Sequence, residues 1–201
     1  MKEVAIIVAH PDDEIIWCGG LILRNPDWDW TVLSLCRADD RDRRPKFKAV
    51  CQSLDVSGYI SDLDDGNPLR PLRPLSQIGR RVREHLSEMD WDVCVTHGAH
   101  GEYGHLRHRE VHAEVVRLVD EGLLRCGQLW TFAYQCDART KSCRPLGDAD
   151  ILVPLSDVQL AEKRRIVQEL YGYGRDSFEV QACISPEAFH RRVIDQREQG
   201  R

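Results

Sequence analysis

Along the chain, short continuous apolar runs alternate with stretches whose apolar positions recur every three or four residues. Residues 3–9, "EVAIIVA", form such a run and are closed by His10-Pro11, the pattern of a strand buried on both faces. Glu14 to Leu23 carries Ile15, Ile16, Leu21, Ile22 and Leu23, a compact helix weakened by Gly19-Gly20. "WTVLSLC" (30–36) is a second strand, and "FKAVCQSLDV" (47–56) spaces Phe47, Val50, Cys51 and Leu54 as a helix does. "GYISDLDDGNPL" reads as a turn-rich connection. Leu75, Ile78, Val82 and Leu86 mark another amphipathic helix, and "DVCVTH" (92–97) a third strand. "HREVHAEVVRLVDEGL" predicts a helix that buries Val111, Val115, Val116, Leu118 and Val119, and "QLWTFAYQ" (128–135) a fourth strand. "SDVQ" (156–159) has the capping-box form and opens a helix through Leu170, stopped by Gly172 and Gly174. This β-α alternation predicts an α/β protein, a doubly wound and mainly parallel sheet in a single domain over residues 1–201. The stretch 136–155 is the least legible.

Composition narrows the function more than the fold. With 42% hydrophobic and 30% charged residues the chain has the make-up of a water-soluble globular protein. A net charge of −5, with arginines interleaved among acids as in "RADDRDRR", leaves no basic footprint for nucleic acid. No apolar run approaches membrane-spanning length, and the first residues enter a strand pattern rather than a signal peptide, so a cytoplasmic protein is expected. None of the eight cysteines forms a C-x-x-C pair. Buried free thiols are expected over a disulfide framework, although Cys136 and Cys143 are spaced so that they could pair or bind metal.

Two polar clusters follow the first and third strands, at the sheet edge where doubly wound folds bind ligands. One is His10-Pro11-Asp12-Asp13-Glu14, and the other is "THGAHGEYGHLRHREVH", which holds five of the eight histidines within sixteen residues. Together they predict a mononuclear metal site. A catalytic zinc takes three N/O ligands and keeps one position open for water. His10 and Asp13, three apart at the start of a helix, can face one ion, and either His105 or His108 could supply the third ligand. Asp12, beside a ligand, is placed to take the proton of the water. His97 and His100 read as structural or loop residues, His112 as a core or neighbouring residue, and Glu14 as a partner of nearby backbone.

At this point the residues resemble a known family. "AHPDDE" and "GEYGHLRH" resemble the paired motifs of the LmbE-like, or PIG-L, N-acetylglucosaminide deacetylases. Between them, "LSLCRADD" resembles that family's Thr-Arg-Gly-Glu loop, "FKAVCQSLDV" its Ala-rich helix, and "DLDDG" its acidic turn. The likeness covers roughly the first two-thirds of the chain, with residues 1–135 as the motif-bearing core and 136–201 beyond it. The resemblance implies a Rossmann-like, zinc-dependent hydrolase that removes an N-acyl group from an N-acetylglucosamine-like sugar conjugate or similar small amide. By position it implies His10, Asp13 and His108 as metal ligands and Asp12 as general base. It implies His105 as a charged residue that steadies the tetrahedral intermediate or protonates the leaving amine. Arg37 and Tyr103, with Asp64 or Asp65, are implied as substrate contacts. Fe2+ or another divalent metal accepts the same ligands as Zn2+.

Leu106-Arg107 stands where the family usually has Pro-Asp, the acid that orients the catalytic histidine, and Arg107 beside a dication is unfavourable unless it turns outward. Ala38 for a loop glycine is a mild departure. Rival readings are an amidase on a larger thiol or antibiotic conjugate, and a metal- or sugar-binding protein with impaired catalysis. A ferrous oxygenase would use the same two-His, one-carboxylate set, but on scaffolds that are usually all-β. The family's members are often oligomers, so a homo-oligomer is among the expectations, though no stretch marks an interface.

Overall fold

The structure is a computed structural model that describes residues 1–67 and 69–195. Pro68 of the turn-rich connection and residues 196–201 of the C-terminal part lie outside the described residues. The apolar run at the start forms β1 (Glu3–Val8), followed by α1 (Asp13–Arg24), β2 (Asp29–Cys36), α2 (Arg43–Leu54) and β3 (Ser57–Leu63). Next come α3 (Ser76–Leu86), β4 (Trp91–Thr96), the single turn α4 (Gly101–Gly104), α5 (Leu106–Asp120) and β5 (Cys126–Phe132). The C-terminal part adds β6 (Tyr134–Asp137), β7 (Ser142–Pro145), β8 (Ile151–Val153), α6 (Asp157–Arg165), α7 (Phe178–Gln181) and β9 (Glu187–Val193).

Seven strands form one sheet in the order β3-β2-β1-β4-β5-β9-β8. The first five are parallel, and β9 runs antiparallel to both β5 and β8. This is the expected Rossmann-like fold, with antiparallel pairing confined to one edge. Because β1 is buried on both faces, its side chains divide by alternation. Val4, Ile6 and Val8 pack under α1, α2 and the end of α6, whereas Ala5, Ile7 and Ala9 pack under α3 and α5. The chain winds outward from β1 through β2 to β3, then returns to place β4 on the other side of β1. The crevice at this reversal is where such sheets bind ligands.

Several expectations are corrected. The turn-rich connection contains β3, an edge strand whose first three residues are exposed, so it carries no apolar alternation. The fourth strand ends at Phe132, and after Ala133, whose N–H still bonds to the Ala188 carbonyl of β9, the chain enters the hairpin strand β6. The segment 136–155 holds the β6–β7 hairpin and β8. Six cysteines are buried free thiols as expected, but Cys136 and Cys143, directly opposite across the hairpin, are disulfide-bonded. The capping box at Ser156 and Gln159 forms as read, and α6 ends in a π-helical turn over Ile166–Leu170.

The Gly19-Gly20 pair has a specific consequence in α1. Cys18 leaves helical geometry (φ −145°, ψ 17°), which frees backbone groups on either side of the kink. The Trp17 carbonyl accepts the Tyr134 hydroxyl (2.8 Å). The Gly20 and Leu21 N–H groups both donate to the Glu187 carboxylate, at 2.7 Å each, and Lys163 Nζ donates to the same carboxylate at 2.6 Å. Lys163 and Glu187 are both 0% exposed, so this is a fully buried ion pair. A Cβ at position 20 would overlap the Leu155 methyls, so any larger residue there has to push that side chain aside.

Candidate metal centre and active site

At the end of β1 the chain must reverse into α1 within four residues. Asp12 takes the strained φ of 116° at this turn. Its N–H donates to the Glu14 carboxylate (2.9 Å), and its carbonyl accepts from Ile15 and Ile16. Asp13 and Glu14 occupy the first turn of α1, where the helix dipole favours acids. The second cluster is also a tight turn: Gly101, Glu102 and Gly104 all have positive φ, which brings the start of α5 back over β1. The two loops meet at the β1/β4 crevice.

Three atoms converge there. His10 Nδ1 lies 3.2 Å from Asp13 Oδ2, His108 Nε2 lies 3.3 Å from His10 Nδ1, and His108 Nε2 lies 3.4 Å from Asp13 Oδ2. A tetrahedral ion with ligand bonds of about 2.0–2.1 Å has ligand–ligand edges of about 3.3–3.4 Å, so these atoms fit one face of such a tetrahedron. Each donor is also held from behind, as metal ligands usually are. His10 Nε2 contacts Asp65 Oδ2 (3.2 Å), His108 Nδ1 contacts Glu102 (2.6 Å), and Asp13 Oδ1 accepts the Trp17 indole N–H (2.9 Å). With Asp65 and Glu102 behind the far nitrogens, His10 Nδ1 and His108 Nε2 face each other.

The electrostatics ask for positive charge at this point. Burial opposes charge on His10, but its bonds to Asp13 and Asp65 outweigh that and push the ring up to about 9. Burial likewise opposes the Asp13 carboxylate, yet His108, His97 and His10 hold it well below the usual range. His97 also lies within ligand reach of Asp13 and His108, and stacks on His108 with centroids 3.9 Å apart. Both its nitrogens are engaged, however: Nε2 accepts the Ala9 N–H (2.9 Å), and Nδ1 meets Glu102 (3.0 Å).

The family model for PIG-L, the GlcNAc-PI de-N-acetylase, matches residues 5–119, which span both loops. The chain belongs to the PIG-L family. Protein L374 of Acanthamoeba polyphaga mimivirus, itself uncharacterized, is 28% identical over 120 residues, 53% of either chain. The chain thus spans about half the length of that curated relative. Two solved structures share the fold over nearly the whole chain. The conserved protein TT1542 from Thermus thermophilus superposes with a TM-score of 0.68 at 14% identity, covering 94% of both chains. The A40926 pseudoaglycone deacetylase Dbv21 gives 0.60 at 15% identity, covering 94% of this chain and 95% of that one.

Most of the residues expected from the PIG-L motifs line one cavity of about 420 Å³, whereas His108 is fully buried against His10 and is not part of the lining. Asp12 is buried at its edge. Burial and the neighbouring Asp13 raise its carboxyl to about 6, against the pull of Arg43 and Tyr173. His105 lies 4.5 Å from His108 and 5.0 Å from His10, centroid to centroid, and its Nδ1 is buried without a hydrogen-bond partner. Burial, with His108 and His10 adding to it, lowers this ring to about 4, the direction that favours its neutral form. Tyr103 packs its ring between Phe178 and the site histidines. Arg37 donates to Asp65 (2.7 Å). Of the two acids at that turn Asp65 is the one in the cavity; Asp64 is exposed and caps the Gly66 N–H (3.0 Å).

Arg107 does not turn outward. It is 3% exposed, bonded to Glu110, with Nε 3.8 Å from Asp65 Oδ1, so two carboxylates balance the charge that replaces the PIG-L acid. Sequence reading missed Glu102, which joins His97, His108 and the Gly98 N–H, although its place inside "GEYGH" offered a signal. It also missed Trp17, Arg43 and Tyr173, whose roles depend on contacts that no local pattern encodes. No described helix is long and apolar enough to cross a membrane.

Proposed function

We propose that the protein is a metal-dependent N-deacetylase acting on an N-acetylglucosamine-like sugar conjugate or similar small amide. The observation that carries this reading is the triangle of His10 Nδ1, Asp13 Oδ2 and His108 Nε2, with Asp12 beside it in a cavity large enough for a sugar. Family membership supports deacetylase-type chemistry. His10, Asp13 and His108 would hold the ion, zinc being the metal the resemblance favours. When bound, it polarises the amide carbonyl and lowers the pKa of water from 15.7 toward about 7.

The chain's own residues supply the rest. Asp12, with its carboxyl near 6, is poised to take a proton from the attacking water near neutral pH and then release it to the leaving nitrogen. Neutral His105 serves as a hydrogen-bond donor to the developing oxyanion rather than as an imidazolium. A dication nearby would oppose its protonation further. Arg37 and Asp65 form the polar side of the cavity, suited to sugar hydroxyls, while Ile16, Trp17, Tyr103 and Phe178 form an apolar side suited to the acyl methyl.

The test is amine release from N-acetylglucosamine and its simple glycosides, using metal-stripped protein with zinc added back, alongside Asp12→Ala. Zinc-dependent release that is lost in the variant is the expected result. Stoichiometric zinc binding without release from these or larger amides would refute the enzymatic reading and favour a binding protein. Release from larger thiol or antibiotic conjugates alone would move the substrate class to the amidase alternative.

A further inference from the structure

The first motif is held in place by a segment far from it in sequence. After the π-helical turn, the Tyr171 N–H bonds to the Ile166 carbonyl and the Tyr173 N–H to the Val167 carbonyl, both at 3.2 Å. Gly172 between them has φ +82°, a conformation that glycine adopts without strain. This winding turns both phenols toward the start of α1. The Tyr171 hydroxyl donates to Glu14 Oε1, and the Tyr173 hydroxyl donates to Asp12 Oδ2. Glu14 Oε2 accepts the Asp12 N–H, so one tyrosine steadies the backbone of Asp12 and the other its side chain.

A third group completes the arrangement. Arg43, at the start of α2, donates from Nη1 to the same Asp12 Oδ2 at 2.7 Å, and its guanidinium lies 4.9 Å from the Tyr173 ring centroid. Both side-chain bonds to Asp12 thus end on one oxygen. Left to itself, an aspartate carboxylate swings in a broad, two-fold χ2 well, and either oxygen can face a neighbour. Two donors on Oδ2 remove that freedom and leave Oδ1 as the oxygen able to accept a proton. Misplacing a catalytic group by a small distance is costly in rate, so a device of this kind matters most for the base.

We propose that Tyr171-Gly172-Tyr173 is a positioning strap, in which Tyr173 and Arg43 lock the Asp12 carboxylate so that Oδ1 alone is presented to the reacting water. The strap lies outside the residues 5–119 matched by the family model. Its kinetic consequence rests on the deacetylase reading; its existence does not.

The experiment separates these two points. The zinc-loaded protein is prepared with ring-carbon-labelled tyrosine, giving five lines in a carbon NMR spectrum that single Tyr→Phe variants assign. Asp12→Asn is expected to move the Tyr173 line more than any other. A Tyr173 line that stays in place overturns the strap, whether or not any substrate turns over. In the amine-release assay, Tyr173→Phe is expected to lower kcat about tenfold, the equivalent of one hydrogen bond, with KM within about twofold. Arg43→Ala is expected to lower kcat further, with Arg43→Lys recovering part of the loss. Tyr59→Phe, on the exposed edge strand, is the unaffected control. A Tyr173→Phe effect on KM with kcat intact would make Tyr173 a substrate contact and overturn the positioning role. A silent wild-type enzyme would count against the deacetylase reading, while the Tyr173 line alone decides the strap.

Discussion

The carboxylate of Glu187 takes two backbone N–H groups at the α1 kink and the ammonium of Lys163, all out of contact with water. Glu187→Ala strips all three donors at once. Removing one partner of a buried ion pair costs about 3–5 kcal/mol. Each orphaned N–H adds about 1–3 kcal/mol, less whatever water entering the space left by the side chain restores. The terms overlap, because the three donors share one carboxylate, and we expect a total of about 4–6 kcal/mol. Domain stabilities are typically about 5–15 kcal/mol, so the loss is a large share of the whole. At about 2–4 °C per kcal/mol for a chain of this size, the melting midpoint should fall by roughly 10–20 °C. Urea unfolding in the presence of chelator reads the difference without an offset from bound metal. Lys163→Met leaves Glu187 with its two backbone donors and should cost less, and Lys163→Met with Glu187→Gln should recover part of the loss through one retained acceptor. A Glu187→Ala protein within about 1 kcal/mol of the parent, at unchanged m-value, would refute the role of this pair at the kink.

Other substitutions probe the site's surroundings. Trp17→Phe removes the indole N–H from Asp13 and should weaken zinc affinity about 10–100-fold in a chelator competition, with little change in fold. Arg107→Ala leaves the buried Glu110 with only the Leu72 N–H as a partner, while Asp65 keeps Arg37 and His10. The substitution should cost about 3 kcal/mol in thermal or urea unfolding, with Glu110→Gln restoring much of it. Burial raises the Glu14 carboxyl from 4.5 to about 8, so between those values the folded state holds a proton that the unfolded chain releases. Stability should therefore fall as pH rises through that window, by roughly a few kcal/mol, and Glu14→Gln should flatten the dependence.

What the sequence made legible was whatever a local pattern encodes. The apolar run ending in His10-Pro11, the helical spacing of Ile78, Val82 and Leu86, and the Ser156 cap are set by neighbours a few residues apart. The two polar clusters pointed to His10 and Asp13 in the same way but left the third position open between His105 and His108, which only the family resemblance separated. Strand β3 escaped because an edge strand facing water has no alternation to show, and β9 because it is defined by pairing with β5, some sixty residues earlier. The partners of the site were hidden for the same reason. Arg43 sits in a run of charges that reads as solvated surface, and Tyr173 reaches Asp12 across 161 residues. Even Glu102, inside a motif, gave no hint that one carboxylate would serve two imidazoles. Arg107 shows the limit from the other side: its charge was visible, but not the two acids that balance it.

The strand order has a consequence for any attempt to trim the chain. A fragment ending near Val119 would keep both motif loops yet lose β5, β9 and β8, and so leave β4 as an outer strand. Residues 93–96 of β4 are buried, and they would meet solvent as a flat apolar ribbon with a free row of N–H and C=O groups. Such a ribbon recruits copies of itself, and the expected product is a precipitate rather than a smaller enzyme. The intact chain ends its sheet differently, on a three-residue strand at one margin and on the largely exposed, polar start of β3 at the other. The C-terminal strands thus cover the edge that β4 would otherwise present to solvent.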